Sequence, residues 1–164
     1  MASDEGLRDR SGIPLRGLTN DEIREFLAHP WTCRLATVQP NGAPYVVPLW
    51  YEYDPDEGCL YIIARGRSAY VEHIKHEPRV AVSIADDSAG NRRVQFEGRA
   101  EIVEGPTTEG QWVPMGRRMA ARYLGAEDGP RYLIPTLDRP RYLIRIRPYK
   151  MQSWQGGEWH PRYR

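Results

Sequence analysis

Apolar and polar residues alternate through several short segments of this chain, and alternation with a period of two is typical of half-buried β-strands. The clearest example spans 94–103, beginning with Val94 and Phe96. The pattern predicts strands at 32–38, 45–53, 59–64, 80–85, 94–103 and 142–147. The dipeptide Asn41-Gly42 is typical of a hairpin turn because both residues tolerate a positive φ. We therefore expect the first three strands to form an antiparallel meander.

Three other segments have helical spacing. The first begins at Thr19, which can form a capping box with Glu22, and it ends at Pro30. The second is expected at 68–76 and the third at 107–124. Six mostly antiparallel strands with a few helices predict a mainly β fold. A closed or nearly closed barrel fits this pattern, because closure removes exposed strand edges.

Residues 1–16 are polar and lack periodicity, so we expect a flexible N-terminal arm followed by a single domain at 17–164. Composition narrows the possible partners. The 23 Lys and Arg residues nearly balance the 22 Asp and Glu residues, so no global basic field favours nucleic acid. No apolar stretch approaches the roughly 20 residues that cross a bilayer, and the charged N-terminus does not resemble a signal peptide.

The two cysteines, Cys33 and Cys59, lie in apolar runs and do not form a C-x-x-C pair. We interpret them as buried free thiols, which suit a reducing compartment. The expected location is the cytoplasm. His73 and His76 lie three residues apart in a predicted helix, but no third ligand is close in sequence, so no metal site is predicted.

The link from Ala64 to Ser68 leaves a strand, carries Arg65 and Arg67, and opens a helix. Guanidinium groups and a helix N-terminus both bind phosphate, so this link is a candidate phosphate cradle. An ordinary helix cap with two solvated arginines remains the alternative. Pro48 lies inside an apolar strand although it cannot donate to a strand ladder. It marks a simple bulge, an edge, or a place where a flat ring covers the strand.

Three further features are less specific. Gln95 is a lone amide on the polar side of its strand and is consistent with ordinary surface. The C-terminal segment carries Trp154 and Trp159, which suggests that it docks, either on its own barrel or elsewhere. Tyr51, Tyr61 and Trp112 are available as stacking walls for a substrate.

The ordered runs 34–38, 41–50, 60–65, 77–80 and 94–100 resemble the pyridoxamine 5′-phosphate oxidase-like family over about residues 18–163. The resemblance implies a split β-barrel homodimer that binds FMN at its two-fold interface. The family also contains a deazaflavin-dependent branch and some heme-handling members. The domain at 17–164 would then be a single FMN-binding split barrel.

The resemblance also implies a set of site residues. The strand at Pro48, Leu49 and Trp50 would line the isoalloxazine ring. Gln95 or its neighbours would come from the partner subunit, and Trp154 would lie near the flavin. The link that would hold the phosphate includes Ala64, Arg65, Arg67, Ser68 and Tyr70. Arg162 would correspond to an arginine near the C-terminus of the oxidases.

The sequence departs from the oxidases of the family in two places. Where they carry an Arg-Lys pair after the serine of the phosphate link, this chain has Ala69 and Tyr70. Residues that would bind a substrate phosphate are not recognisable. We therefore expect an FMN-dependent oxidoreductase acting on an unknown small molecule other than pyridoxamine phosphate. A deazaflavin-dependent reductase and a non-catalytic flavin- or heme-binding protein are the alternatives, with His73 or His76 as the heme ligand.

Overall fold

The structure is a computed structural model that describes residues 7–86, 88 and 90–158. These residues form a mainly β fold with seven strands and three helices. In chain order the elements are α1 (Asn20–Ala28), β1 (Cys33–Val38), β2 (Pro44–Leu49), β3 (Glu52–Asp54), β4 (Cys59–Arg65), α2 (Ala69–His76), β5 (Arg79–Ala85), β6 (Arg93–Thr107), α3 (Trp112–Leu133) and β7 (Arg141–Trp154). A 3₁₀ turn at Ile134–Thr136 follows α3.

The described strands lie in one antiparallel sheet with the order β2-β1-β5-β6-β7-β4-β3. The two end strands, β2 and β3, are consecutive in the chain and are joined only by Trp50 and Tyr51. Leu49 and Glu52 therefore lie within about 11 Å of each other. The sheet must curl until its two ends meet, which confirms the predicted antiparallel barrel.

The predicted strand at 45–53 is wrong as a single element, because the structure divides it into β2 and β3 at Trp50. The expected meander is wrong for the same reason: β2 pairs with β1 at one end of the sheet, and β3 pairs with β4 at the other. Pro48 is tolerated because β2 is an end strand, whose free side needs no N–H donor.

The strands β6 and β7 are longer than the alternation predicted. β6 runs through Gly105 and Pro106, and register shifts near Glu104 absorb the irregularity. In β7, Pro148 lies opposite Gly98 at another register shift. Each proline therefore sits where the regular ladder is interrupted, so neither one ends its strand.

The barrel interior is filled by inward-facing side chains such as Leu35, Ile62, Ile84 and Ile144, with Phe26 of α1 packed against them. The predicted capping box is confirmed: the backbone N–H of Thr19 donates to Glu22 Oε2 at 2.7 Å, and that of Glu22 donates to Thr19 Oγ1 at 3.3 Å. α1 is therefore held at its first turn while its apolar face closes the core.

Helix α3 covers the outer face of β4 and β7, where Trp112, Ala120 and Leu133 pack against Leu143. The helix begins later than predicted. The carboxylate of Glu104 accepts the backbone N–H groups of Gln111 at 2.8 Å and Trp112 at 3.1 Å, so a strand residue caps the helix.

Gly125 divides α3 into two segments, since its φ of 91° and ψ of 167° are not helical. The first segment ends at Leu124, where the sequence predicted the helix to end. The second segment, residues 126–133, folds back on the first, and we call it the returning segment. A Cβ on Gly129 would lie 2.7 Å from the carbonyl carbon of Ala120, so this close approach requires glycine.

The described part of the predicted N-terminal arm, residues 7–16, contacts the C-terminal segment. The backbone N–H of Gln155 donates to the carbonyl of Arg16 at 2.9 Å, and that of Gly157 donates to Asp9 Oδ2 at 3.0 Å. Leu15 is buried there. Flexibility of the arm stays a prediction. Cys33 and Cys59 are buried free thiols, as expected, and no helix in the described residues could cross a bilayer.

Candidate functional site

A cavity of about 660 Å³ lies where β2, β4, the start of α2 and the helix α3 meet. Six of the predicted site residues line it: Pro48, Leu49, Trp50, Arg65, Ser68 and Tyr70. The other lining residues are Thr32, Tyr45, Val47, Ile63, Ala69, Gly116, Met119, Ala120, Tyr132, Leu133 and Arg141. The fold therefore brings the predicted phosphate link and the predicted ring-lining strand into one space.

Two guanidinium groups face this cavity. Arg65, the last residue of β4, lies directly opposite Arg141, the first residue of β7, in the antiparallel register. Within residues 7–86, 88 and 90–158, no carboxylate lies within ion-pair distance of either group. Like charges placed opposite each other destabilise a strand pair, so an anion between these two guanidinium groups would stabilise it.

Arg141 is only 8% exposed. Its guanidinium donates to the carbonyl and the Oγ1 of Thr136, each at 2.7 Å, and lies 4.8 Å from the ring centroid of Trp112. Burial first, and then the charge of Arg65, lowers the pKa of Arg141. The side chain is thus oriented by neutral groups, and its charge remains available for an anion.

The N-terminus of α2 adds further donors to the same wall. Ser68 is the N-cap residue, but its side chain makes no capping hydrogen bond. The backbone N–H groups of the first turn, near Ala69 and Tyr70, therefore lack the usual side-chain acceptor. Such a turn carries partial positive charge and attracts anions. Together, Arg65, Arg141 and this turn are a candidate site for an anion, which we call the anion site.

Aromatic rings form another part of the cavity wall. The indole of Trp50 stacks on Tyr123, with ring centroids 4.9 Å apart and planes 11° apart. The hydroxyl of Tyr123 accepts the backbone N–H of Tyr51 at 3.2 Å and donates to the carbonyl of Trp31 at 2.7 Å. Tyr123 therefore fixes Trp50 from behind.

The remaining predicted residues lie elsewhere. Ala64 is fully buried in the barrel core, and Arg67 is exposed outside the cavity lining. Gln95 lies in a second cavity of about 450 Å³ on the outer face of the sheet, where its Nε2 donates to Gln152 Oε1 at 3.1 Å. Trp154 is half-buried near the end of β7, and Arg162 lies outside the described residues.

Sequence reasoning missed Arg141, Tyr132 and the residues of α3 that line the cavity. Arg141 follows a proline at the start of an alternating strand, which gives no signal that it faces a ligand space. The interpretation of Tyr51 and Trp112 as stacking walls is wrong, since both side chains are fully buried. Tyr61 is half-buried and packs under α3.

Buried His73 lies on α2, where its Nδ1 shares a 3.0 Å hydrogen bond with Thr37 Oγ1. Its ring also meets that of Tyr45 edge-on at 5.1 Å. These contacts occupy His73 in packing inside the barrel. No group of three His, Cys, Asp or Glu side chains suited to a metal occurs in the described residues.

A curled antiparallel sheet with a ligand-sized cavity under a covering helix is the architecture of a split β-barrel. Residues 19–155 match the model of the pyridoxamine 5′-phosphate oxidase family, and the chain belongs to that family. The resemblance stated from the sequence is thereby confirmed.

Three relatives illustrate its range. The 5a,11a-dehydrotetracycline/5a,11a-dehydrooxytetracycline reductase of Streptomyces rimosus is 28% identical over 123 residues, which are 74% of this chain and 72% of that protein. A conserved hypothetical protein of Mycobacterium tuberculosis is 27% identical, with a TM-score of 0.66 over 91% of this chain and 90% of its own. An F420 reductase is 27% identical, with a TM-score of 0.60 over 78% and 94%.

Proposed function

We propose that this protein is an oxidoreductase that holds a phosphate-bearing flavin-type cofactor, FMN or a deazaflavin, in the cavity between β2 and α3. The observation that carries the proposal is the anion site. Arg65 and Arg141 oppose each other without a carboxylate partner among the described residues, beside a helix N-terminus without a side-chain cap. A phosphate would satisfy both features at once.

The residues present fit such a group. Guanidinium forks pair with phosphate oxygens in two parallel hydrogen bonds, and backbone N–H groups of a helix N-terminus take a third oxygen. Arg65, Arg141 and Ser68 would therefore hold the phosphate. Pro48, Leu49 and Trp50 would lie along the ring, because this end strand needs cover and lines the same cavity.

A flavin-type ring supplies hydride or electron transfer when it is bound. The chain's own contribution is binding, orientation and exclusion of water. The two arginines are the charged side chains among the described residues that line the cavity, and Val47, Leu49, Ile63 and Leu133 make much of the remaining wall apolar. Among the described residues, this wall has no carboxylate or imidazole that could act as a general acid or base.

Two observations support a deazaflavin as the alternative cofactor to FMN. Two of the relatives are reductases, and one of them is an F420 reductase. The chain also carries Ala69 and Tyr70 where the FMN-dependent oxidases place Arg and Lys. Because that cofactor bears an acidic tail, the paired arginines at the cavity would serve it as well.

A homodimer is proposed as the working form. The outer face of the sheet holds the second cavity, with Gln95 on one side and Val46, 61% exposed, on another. An apolar side chain this exposed on the outer face of the sheet suits burial against a second copy. Light scattering should return about twice the 18.9 kDa chain mass, and a monomer at micromolar concentration would refute the dimer.

The direct test titrates the purified protein with FMN, with riboflavin and with coenzyme F420. Riboflavin carries the same ring as FMN without the phosphate, so it isolates the contribution of the anion site. Tight, saturable binding of FMN or F420, with riboflavin much weaker, would support the proposal. Failure to bind either phosphate-bearing cofactor would overturn it, and equal affinity for FMN and riboflavin would remove the role of Arg65 and Arg141.

A further inference from the structure

We propose that Trp50 and Tyr132 form a subsite for a planar, uncharged, conjugated ring of the substrate. This aromatic corner extends the proposed function, because it states the class of molecule that would be placed beside the cofactor. Binding of such a ring does not itself require the cofactor, so the two proposals are tested separately.

The orientation of the Trp50 indole is fixed by the residues packed against it. Tyr123 stacks on the indole, and Tyr123 is itself fixed by hydrogen bonds to the backbone of Trp31 and Tyr51. The guanidinium of Arg122 lies 5.2 Å from the Tyr123 ring centroid. The indole therefore loses little freedom when a further ring binds, and this lowers the entropic cost of binding.

Tyr132 supplies the other side of the corner. Its ring centroid lies 5.2 Å from that of Trp50 and its plane is tilted by 52°, although the residue is 48% exposed. It stands on the returning segment of α3, which Gly129 holds against Ala120. Two tilted rings can contact one planar ligand by offset stacking on one ring and by an edge contact on the other.

The neighbouring wall selects the chemical class. Met119, Ala120 and Leu133 of α3 are apolar and line the same cavity. No carboxylate, lysine or imidazole belongs to the described lining, so a cationic amine finds no oppositely charged partner there. The arginines are engaged by the anion in the proposed function. An uncharged aromatic or conjugated ring is the ligand that the remaining surface matches.

The experiment compares 2-naphthol with decahydro-2-naphthol, which keeps the hydroxyl and the two fused rings but is not planar. Calorimetric titration is carried out with and without saturating FMN. The variants are Tyr132→Ala and Tyr132→Phe, because Trp50 is also expected to lie along the cofactor ring. Tyr149→Ala is the matched control, because Tyr149 is a tyrosine with 60% exposure on β7 that does not line the cavity.

We expect 2-naphthol to bind wild-type protein more tightly than its saturated analogue. Tyr132→Ala should weaken 2-naphthol binding roughly three- to tenfold, the range expected for one aromatic contact. Tyr132→Phe and Tyr149→Ala should leave it unchanged, and the Kd for FMN should not move in any Tyr132 variant.

Three results would overturn the inference. They are equal affinity for the two probes, equal effects of Tyr132→Ala and Tyr149→Ala, and a loss of FMN affinity in Tyr132→Ala as large as the loss for 2-naphthol. The last would show that the corner holds the cofactor instead. If wild-type protein binds 2-naphthol through Tyr132 but neither FMN nor F420, the subsite stands and the proposed function fails.

Discussion

Replacement of Arg65 by Ala separates the anion site from ordinary surface charge. Arg65 is exposed at the end of β4 and lines the cavity, whereas Arg67, two residues later, is exposed and outside the lining. A hydrogen bond to a charged partner contributes about 1.5–3 kcal/mol. Because Arg65 is partly solvated, the lower end applies, so Arg65→Ala should weaken FMN binding roughly tenfold.

The same replacement should have the opposite effect on the protein without ligand. Arg65 and Arg141 are like charges in directly paired positions, and such pairs are unfavourable by a few tenths of a kcal/mol to about 1 kcal/mol. Removing Arg65 should therefore leave the melting temperature of the ligand-free protein unchanged or raise it by about 1–2 °C. A variant that is no less stable yet binds FMN less tightly would locate the loss in the site.

Fluorescence titration of FMN and riboflavin against wild type, Arg65→Ala and Arg67→Ala provides the measurement. Riboflavin affinity should be the same in all three proteins, and Arg67→Ala should match wild type with FMN. The effect of Arg65 should shrink as salt is raised, because exposed charges are screened. The reasoning is refuted if Arg67→Ala costs as much as Arg65→Ala, or if riboflavin and FMN lose affinity equally.

Three further outcomes are expected. A hydrogen bond from Arg16 lowers the pKa of Glu22 to about 2. Because this folded-state pKa lies below the unfolded-state pKa of about 4.3, ionised Glu22 stabilises the fold fully above the unfolded-state value. This contribution to the free energy of unfolding is lost as the pH falls towards 2. Glu22→Gln should therefore cost about 1 kcal/mol in urea denaturation at pH 7 and little at pH 2; an equal cost at both pH values would contradict this linkage. Gly129→Ala should lower stability by roughly 1–3 kcal/mol in thermal denaturation, because its Cβ would meet backbone at 2.7 Å. Gly157→Ala, whose Cβ would lie 3.9 Å from Asp9, is the control, and equal melting temperatures for the two variants would show that the close approach is unimportant. Burial raises the pKa of the Cys33 thiol to about 12, so a disulfide reagent at pH 8 should modify Cys33 only after denaturant is added. Rapid modification of Cys33 in the native protein would show that the barrel core around it opens readily.

The sequence predicted the local elements well where one physical signal dominated. The capping box of Thr19 and Glu22 located α1, and strict alternation located the core of β6. Prediction failed where tertiary contacts decided the outcome. Glu104 delays the start of α3 by capping it from a neighbouring strand, and register shifts let β6 pass through Gly105 and Pro106. Contacts between distant parts of a chain leave no local pattern to be found.

The candidate site divides in the same way. Arg65 and Ser68 could be found from the sequence because they adjoin each other in a strand-to-helix link. Arg141 could not, since its pairing with Arg65 is a matter of strand register between distant segments. Tyr132 was missed because the fold-back at Gly125 turns a second helical segment towards the cavity.

The two ends of the sheet meet at the two-residue connection between β2 and β3, which we call the seam of the barrel. Trp50 in this connection also lines the cavity. Trp50 and Tyr51 connect β2 and β3, which are the two end strands of the sheet and are not paired with each other in the strand order. A ligand lying along this seam would hold the two ends of the sheet together, and local opening of the barrel would begin there. Ligand release and local opening would then share one event, visible as slower amide hydrogen exchange in β2 and β3 when the cavity is filled.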